Sequence, residues 1–174
     1  GQLDERKGIE FLLPAFFAAL KLYPKAHLAL AGEGPMESWI SDFAKKYKLE
    51  DKIHLLGFQE DIKEFMQGID VFVLPSLWEG FGIVLIEAMA AGKPCVTTNI
   101  SSMPEIVLDE KTGIIVPPKN AHELGAAIGS LLADQELTDK MGSAGRQRVL
   151  DFFNIDKMLG TLESLFAELL HKRN

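Results

Sequence analysis

The chain has 174 residues, 47% hydrophobic and 25% charged, with 18 basic against 25 acidic side chains for a net charge of −7. That is the composition of a globular domain able to bury a core, and an acidic balance without a basic stripe argues against a nucleic-acid surface. No apolar run reaches the roughly 18 residues that span a bilayer, while the lone Cys95 excludes an internal disulfide framework and fits a reducing compartment.

Gly1-Gln2-Leu3 reads as the tail of a strand, so we expect a piece of a longer protein. Ile9, Leu12, Leu13, Phe16, Phe17 and Leu20 then recur at helical spacing, with Pro14 placed to kink or break that helix. Residues 27–32 read as a strand closed by Gly32-Glu33-Gly34-Pro35. Pro35 suits the first position of a helix that carries Met36, Trp39, Ile40 and Phe43 on one face. A strand over 53–56, a loop at Gly57-Phe58, a short helix over 62–66 and a strand over 71–74 follow. Next come a helix carrying Glu87 and stopped by Gly92-Lys93-Pro94, a strand over 95–98, a helical turn over 101–105 and a strand over 113–116. The remainder reads as helical. Asn120 with Glu123 makes a capping-box start, and Leu124, Ile128, Leu131 and Leu132 form a buried stripe. Strict alternation predicts right-handed βαβ units in one α/β domain over residues 1–174, a Rossmann-like, doubly wound parallel sheet with helices on both faces.

Residues 79–92 carry the chemistry. Between the glycine-bearing turns at 80–82 and 92 the single charged residue is Glu87, expected to be a buried carboxylate. Without a partner it costs several kcal/mol, so a ligand should reward it. A helix beginning near Gly82 aims free N–H groups and a positive dipole end at the crevice above the sheet, where anions bind in open α/β folds. An anion at the helix start and a carboxylate further along imply a ligand with phosphates and hydroxyls, such as a nucleotide sugar. Eight residues of helix span about 12 Å, beyond the roughly 5–9.5 Å of a paired acid/base in glycoside hydrolysis. Glu79 and Glu87 therefore suit two ends of one elongated ligand.

In order along the chain stand Gly1-Gln-Leu-Asp-Glu-Arg-Lys7-Gly8, Leu30-Ala-Gly-Glu-Gly-Pro35, Leu55-Leu-Gly-Phe58, Pro75-Ser-Leu-Trp-Glu79-Gly-Phe-Gly82, Glu87-Ala-Met-Ala-Ala-Gly-Lys-Pro94, Pro104-Glu105 and Thr112-Gly113. This set resembles the C-terminal, nucleotide-sugar-binding domain of the group 1 retaining glycosyltransferases, one half of a GT-B architecture. It includes their E-x7-E signature and departs at Gln2, where arginine is usual. The resemblance implies transfer of a sugar from a nucleoside diphosphate, uridine-linked by family frequency, with retention at the anomeric carbon. Lys7 would then bind the diphosphate and Glu79 the donor sugar. The backbone of Gly80, Phe81, Gly82 and Ile83 would face the sugar and diphosphate, Glu87 the ribose, and Gly57 and Phe58 the base. Lys7 and Glu79 are the expected catalytic residues. Either Arg6 replaces the missing arginine or donor binding is weakened. No metal or other cofactor is implied, and no D-x-D pair is present.

The implied partners are the nucleotide sugar, an absent N-terminal domain and an acceptor saccharide or lipid. The setting is cytoplasmic, with peripheral membrane contact through the absent domain and no nucleic acid. Other readings stand beside these. Glu87 can pair with Lys93, Glu79 can cap a helix, Lys7 can be a solvated lysine, and Ser101 and Ser102 can cap the turn before Pro104. Trp78 and Phe81 can be packing residues or ligand contacts. The four histidines are scattered, each structural or on the surface. Leu159, Leu162, Phe166 and Leu169 form a stripe that packs on this domain or on a missing one. A non-catalytic nucleotide-sugar sensor or scaffold, or a GT-B epimerase, remains an alternative to the transferase.

Overall fold

The structure, a computed structural model, describes residues 1–171. Among them, five short strands alternate with helices. The strands are β1 (Leu28–Ala31), β2 (Ile53–Gly57), β3 (Phe72–Leu74), β4 (Cys95–Thr98) and β5 (Gly113–Val116). The helices are α1 (Ile9–Leu20), α2 (Glu37–Tyr47), α3 (Ile62–Gln67), α4 (Ile83–Ala90), α5 (Met103–Ile106), α6 (Ala121–Ala133), α7 (Gln135–Phe152) and α8 (Ile155–His171), preceded by a 3-10 turn at Glu5–Lys7.

All strand pairings are parallel, as alternation requires, but they form two pieces: β1 with β2, and β3–β4–β5. Residues 1–6 bridge them. Gly1 N donates to Ala31 O at 2.9 Å and Leu3 N to Glu33 O at 2.8 Å, so the expected strand tail is an extended segment on the end of β1 rather than a strand. Arg6 O then accepts from Leu77 N at 2.7 Å, just beyond β3.

Every residue of β4 is buried, and its side chains alternate. Val96 joins one core with Leu13, Ile40, Leu124 and Leu131 from α1, α2 and α6. Cys95 joins a second with Met66, Leu85, Met89 and Met103 from α3, α4 and α5. Two cores on either side of the strands are what double winding produces. Buried among apolar groups, the Cys95 thiol has its pKa pushed up. The predicted capping box forms at α6: Asn120 Oδ1 accepts from Glu123 N at 3.1 Å, and its Nδ2 donates to Glu123 Oε1 at 2.7 Å.

Several expectations are corrected. α1 runs unbroken through Pro14, whose ring faces solvent. Pro35 precedes α2, because Met36 is the N-cap and Ile40 N bonds to its carbonyl. The remainder is helical, as expected, and divides into three helices, with Asp134 capping α7 by accepting from Leu137 N at 2.9 Å. The stripe on α8 is not part of either core; Leu159, Leu162, Leu165 and Phe166 are all exposed. No helix of the described residues is long and apolar enough to cross a membrane.

Candidate functional site

The site forms where the loop after β3 meets the turn before α1. Residues 75–82 are fixed from several sides. The buried Thr97 and Thr98 hydroxyls donate to Leu74 O at 3.0 Å and Ser76 O at 2.6 Å. Ser102 Oγ donates to Phe81 O at 2.8 Å and Gly80 O at 3.3 Å, while Leu77 N is held by Arg6 O. A loop tied at both ends and in the middle presents its side chains in one geometry.

Lys7 and Glu79, 72 positions apart, come together: Lys7 Nζ donates to Glu79 Oε2 at 2.5 Å, and Ser76 Oγ donates to the same oxygen at 3.4 Å. Both side chains are largely buried, 26% and 17% exposed, so Lys7 is not a solvated surface lysine. Glu79 does not cap α4 either. The N-cap is Gly82, with φ +83°, and no side chain caps it. A Cβ at Gly82 would be strained in a left-handed conformation and would press on the end of the Met103 side chain, with Cε at 3.1 Å, so glycine eases the close approach of this helix start to α5. Trp78, Phe81 and Ile83 are 60%, 47% and 64% exposed, so none of them is spent on the core.

Glu87 is the main correction. It lies one turn beyond Ile83 on the outer face of α4 and is exposed, because the buried face of this helix is Leu85, Ala88 and Met89. The helix begins only at Ile83, so the helical spacing assumed from Glu79 onward does not apply. Lys93 is not its partner, since Lys93 Nζ donates to Gln67 O at 3.2 Å. Instead Glu87 edges a cavity of about 420 Å³ between α3 and α4, with Lys63, Gln67 and Arg146 on the other walls.

Arg6 is engaged elsewhere. Its guanidinium donates to Asp4 through Nε at 2.9 Å and Nη2 at 2.5 Å, and to Gln2 Oε1 at 3.3 Å, and it lies 6.0 Å over the Trp78 ring. This clamp holds Asp4 below the usual carboxylate range. Arg6 in turn is raised, chiefly by Asp4 and to a lesser degree by Glu79. Gly57 closes β2 at φ +64° and its carbonyl accepts from Gly32 N at 2.7 Å. Phe58 beyond it is 73% exposed.

Sequence reasoning missed Ser76, Thr98 and Arg146. A hydroxyl at the C-terminal end of a buried strand was the available signal for Thr98, but its bond to the neighbouring strand's loop is visible only in three dimensions. His27 and His54, read as scattered, meet across β1 and β2 with Nδ1 and Nε2 2.9 Å apart. Among the described residues no group of three or more His, Cys, Asp or Glu side chains is arranged to hold a metal ion.

The sequence profile described as "Glycosyl transferases group 1" matches residues 1–148. The chain belongs to this family. A glycogen synthase from Mycobacterium tuberculosis is 33% identical over 156 residues, covering 88% of this chain and 38% of the relative. The chain thus spans about two-fifths of the curated relatives it matches. Among solved structures, the C-terminal domain of a group 1 glycosyl transferase from Francisella tularensis is 26% identical with a TM-score of 0.82, covering 89% of this chain and 84% of that one. An Anabaena protein solved in complex with UDP has a TM-score of 0.88 at 24% identity, covering 97% of this chain and 47% of that one, and shares the fold. These likenesses share the parallel α/β fold expected from the alternating pattern, of the GT-B type that the family resemblance implied.

Proposed function

We propose that this chain is the donor-binding domain of a glycosyltransferase that moves a sugar from a uridine-linked nucleoside diphosphate to an acceptor saccharide or lipid. The observation that carries the reading is the Lys7–Glu79 pair at the N-terminus of α4. In the free domain each neutralises the other. A diphosphate carries more negative charge than one carboxylate and competes for Lys7 with the help of the helix-start N–H groups of Gly82 and Ile83. Lys7 then moves onto the diphosphate, and Glu79 is released to accept hydrogen bonds from the sugar hydroxyls.

As the bond between the anomeric carbon and the diphosphate oxygen breaks, charge grows on the leaving group where the ammonium and the helix amides already point, which lowers the barrier electrostatically. Glu87 takes the ribose hydroxyls at the mouth of its cavity, and the Gly57–Phe58 loop supports the base. Exposure of Glu87 in the free domain suits this role, since its charge stays solvated until ligand hydroxyls replace water. Retention of anomeric configuration rests on the resemblance of the Glu79–Glu87 region to the E-x7-E signature. The acceptor and any acid/base group belong to an N-terminal domain, no metal takes part, and the setting is cytoplasmic.

Calorimetric titration with UDP, GDP and ADP tests the site. UDP should bind, and Glu87→Ala and Lys7→Ala should each weaken it by about 1–3 kcal/mol, the size of a lost charged hydrogen bond. Preference for another base would correct the uridine assignment. Failure of all three nucleotides to bind the folded domain would overturn the donor reading.

A further inference from the structure

Beside the donor site lies a second cavity, of about 530 Å³, that the transfer chemistry does not use. It opens between the turn before α1 and the start of α2 and is lined by Asp4, Glu5, Arg6, Glu10, Met36 and Trp39, with Pro35 at its edge. Its volume falls in the roughly 300–1,000 Å³ range of small-molecule sites. Trp39 is 40% exposed there, on the outer side of a helix whose buried face is Ile40 and Ala44, so the indole offers an apolar plane to the cavity. The Glu5 and Glu10 carboxylates make no hydrogen bond or ion pair to any described residue, and the one cation among the lining residues, Arg6, is taken up by Asp4. Acidic residues suit first turns, which accounts for Glu10; it does not account for an exposed indole lining the same cavity as two unpaired carboxylates.

From the cavity an aromatic row runs down α2. The Trp39 and Phe43 ring centroids are 5.9 Å apart, and those of Phe43 and Tyr47 are 4.6 Å apart. Lys46 covers Tyr47 at 5.3 Å, and Lys21 covers the adjoining Phe17 at 5.6 Å, so the row is capped at its far end and open at Trp39.

We propose that this cavity is a saccharide subsite: Trp39 stacks on the C–H face of a pyranose, and Glu5 and Glu10 accept hydrogen bonds from its hydroxyls. An aromatic plane flanked by acceptors matches a ring with one apolar face and a rim of hydroxyl donors. The unpaired carboxylates repel anionic ligands, so the subsite takes a short neutral oligosaccharide and rejects nucleotides and uronates. Arg6 touches both places, lining this cavity and lying over Trp78 beside Glu79, so a saccharide held here ends next to the transfer site. A transferase supplies such a ligand as acceptor or product, yet binding here is independent of the donor reading.

The test is titration of the domain with maltotriose, trigalacturonate and putrescine, in wild type, Trp39→Ala and Glu10→Gln, with UDP titrated alongside. Maltotriose should saturate, lose about tenfold in affinity with Trp39→Ala, the worth of one aromatic contact, and lose less with Glu10→Gln. UDP affinity should not change in either variant, and circular dichroism checks that both fold. Maltotriose binding where UDP, GDP and ADP all fail to bind would uphold the subsite and sink the donor reading. No saturable maltotriose binding, binding indifferent to both substitutions, or preference for trigalacturonate or putrescine would each overturn the subsite.

Discussion

Replacing Gly8 by alanine tests whether the close approach of the α1 turn to the loop after β3 builds the site. Gly8 has φ +65°, and an added Cβ would lie 2.0 Å from Pro75 O. That is about 1.5 Å inside an ordinary van der Waals separation of ~3.5 Å. The Pro75 carbonyl has little room to retreat, because the next carbonyl is held by Thr98 and Leu77 N by Arg6 O. Left-handed strain contributes roughly 1–2 kcal/mol and overpacking a further 1–3 or so. Lost unfolded-state entropy returns about 0.4–1 kcal/mol. The net destabilisation is then about 2–4 kcal/mol, a sizeable part of the roughly 5–15 kcal/mol that a domain has.

Gly92 supplies the control: its φ is +74°, but nothing lies within 4 Å of an added Cβ, so Gly92→Ala carries the strain without the clash. It should lose only about 1 kcal/mol. Urea unfolding of both variants, with the m-value checked for constancy, reads the difference. Gly8→Ala should also weaken UDP binding, because Lys7 is the neighbouring residue and moves with the turn. Equal losses at the two glycines, within about 0.5 kcal/mol, would refute the reasoning.

Thr98→Val keeps the shape of a buried side chain but removes the donor to Ser76 O; it should cost about 1–3 kcal/mol, read as a fall in Tm, and a loss under about 0.5 kcal/mol would show that the loop does not depend on this bond. The Arg6 clamp depresses the pKa of Asp4, so its contribution to stability is full above the ordinary carboxylate pKa of about 3.9 and is lost as pH falls through the lower folded value. The stability gap between wild type and Asp4→Asn should therefore hold steady from about pH 7 to 5 and close below about pH 4. A gap that widened on acidification would contradict the sign.

The order of strands and helices, the capping box at Asn120, the glycine at the head of α4 and the ordered motifs around Lys7, Glu79 and Glu87 were legible in the sequence. Each is a local pattern: apolar periodicity, a cap three residues from its partner, a glycine where the backbone takes a left-handed turn. What tertiary structure alone decided lies between segments distant in the chain. Lys7 meets Glu79 because residues 1–6 bridge the end of β1 and the loop after β3. Arg6 was a candidate second cation by proximity in sequence, yet Asp4 two residues away claims it. Glu87 stood among apolar residues and so read as buried. It is exposed because burial on a helix follows which face meets the sheet, and on α4 that face is Leu85, Ala88 and Met89. Composition around a residue sets how much of a segment is buried; only the packing of that segment against its neighbours sets which side chain is left to meet a ligand.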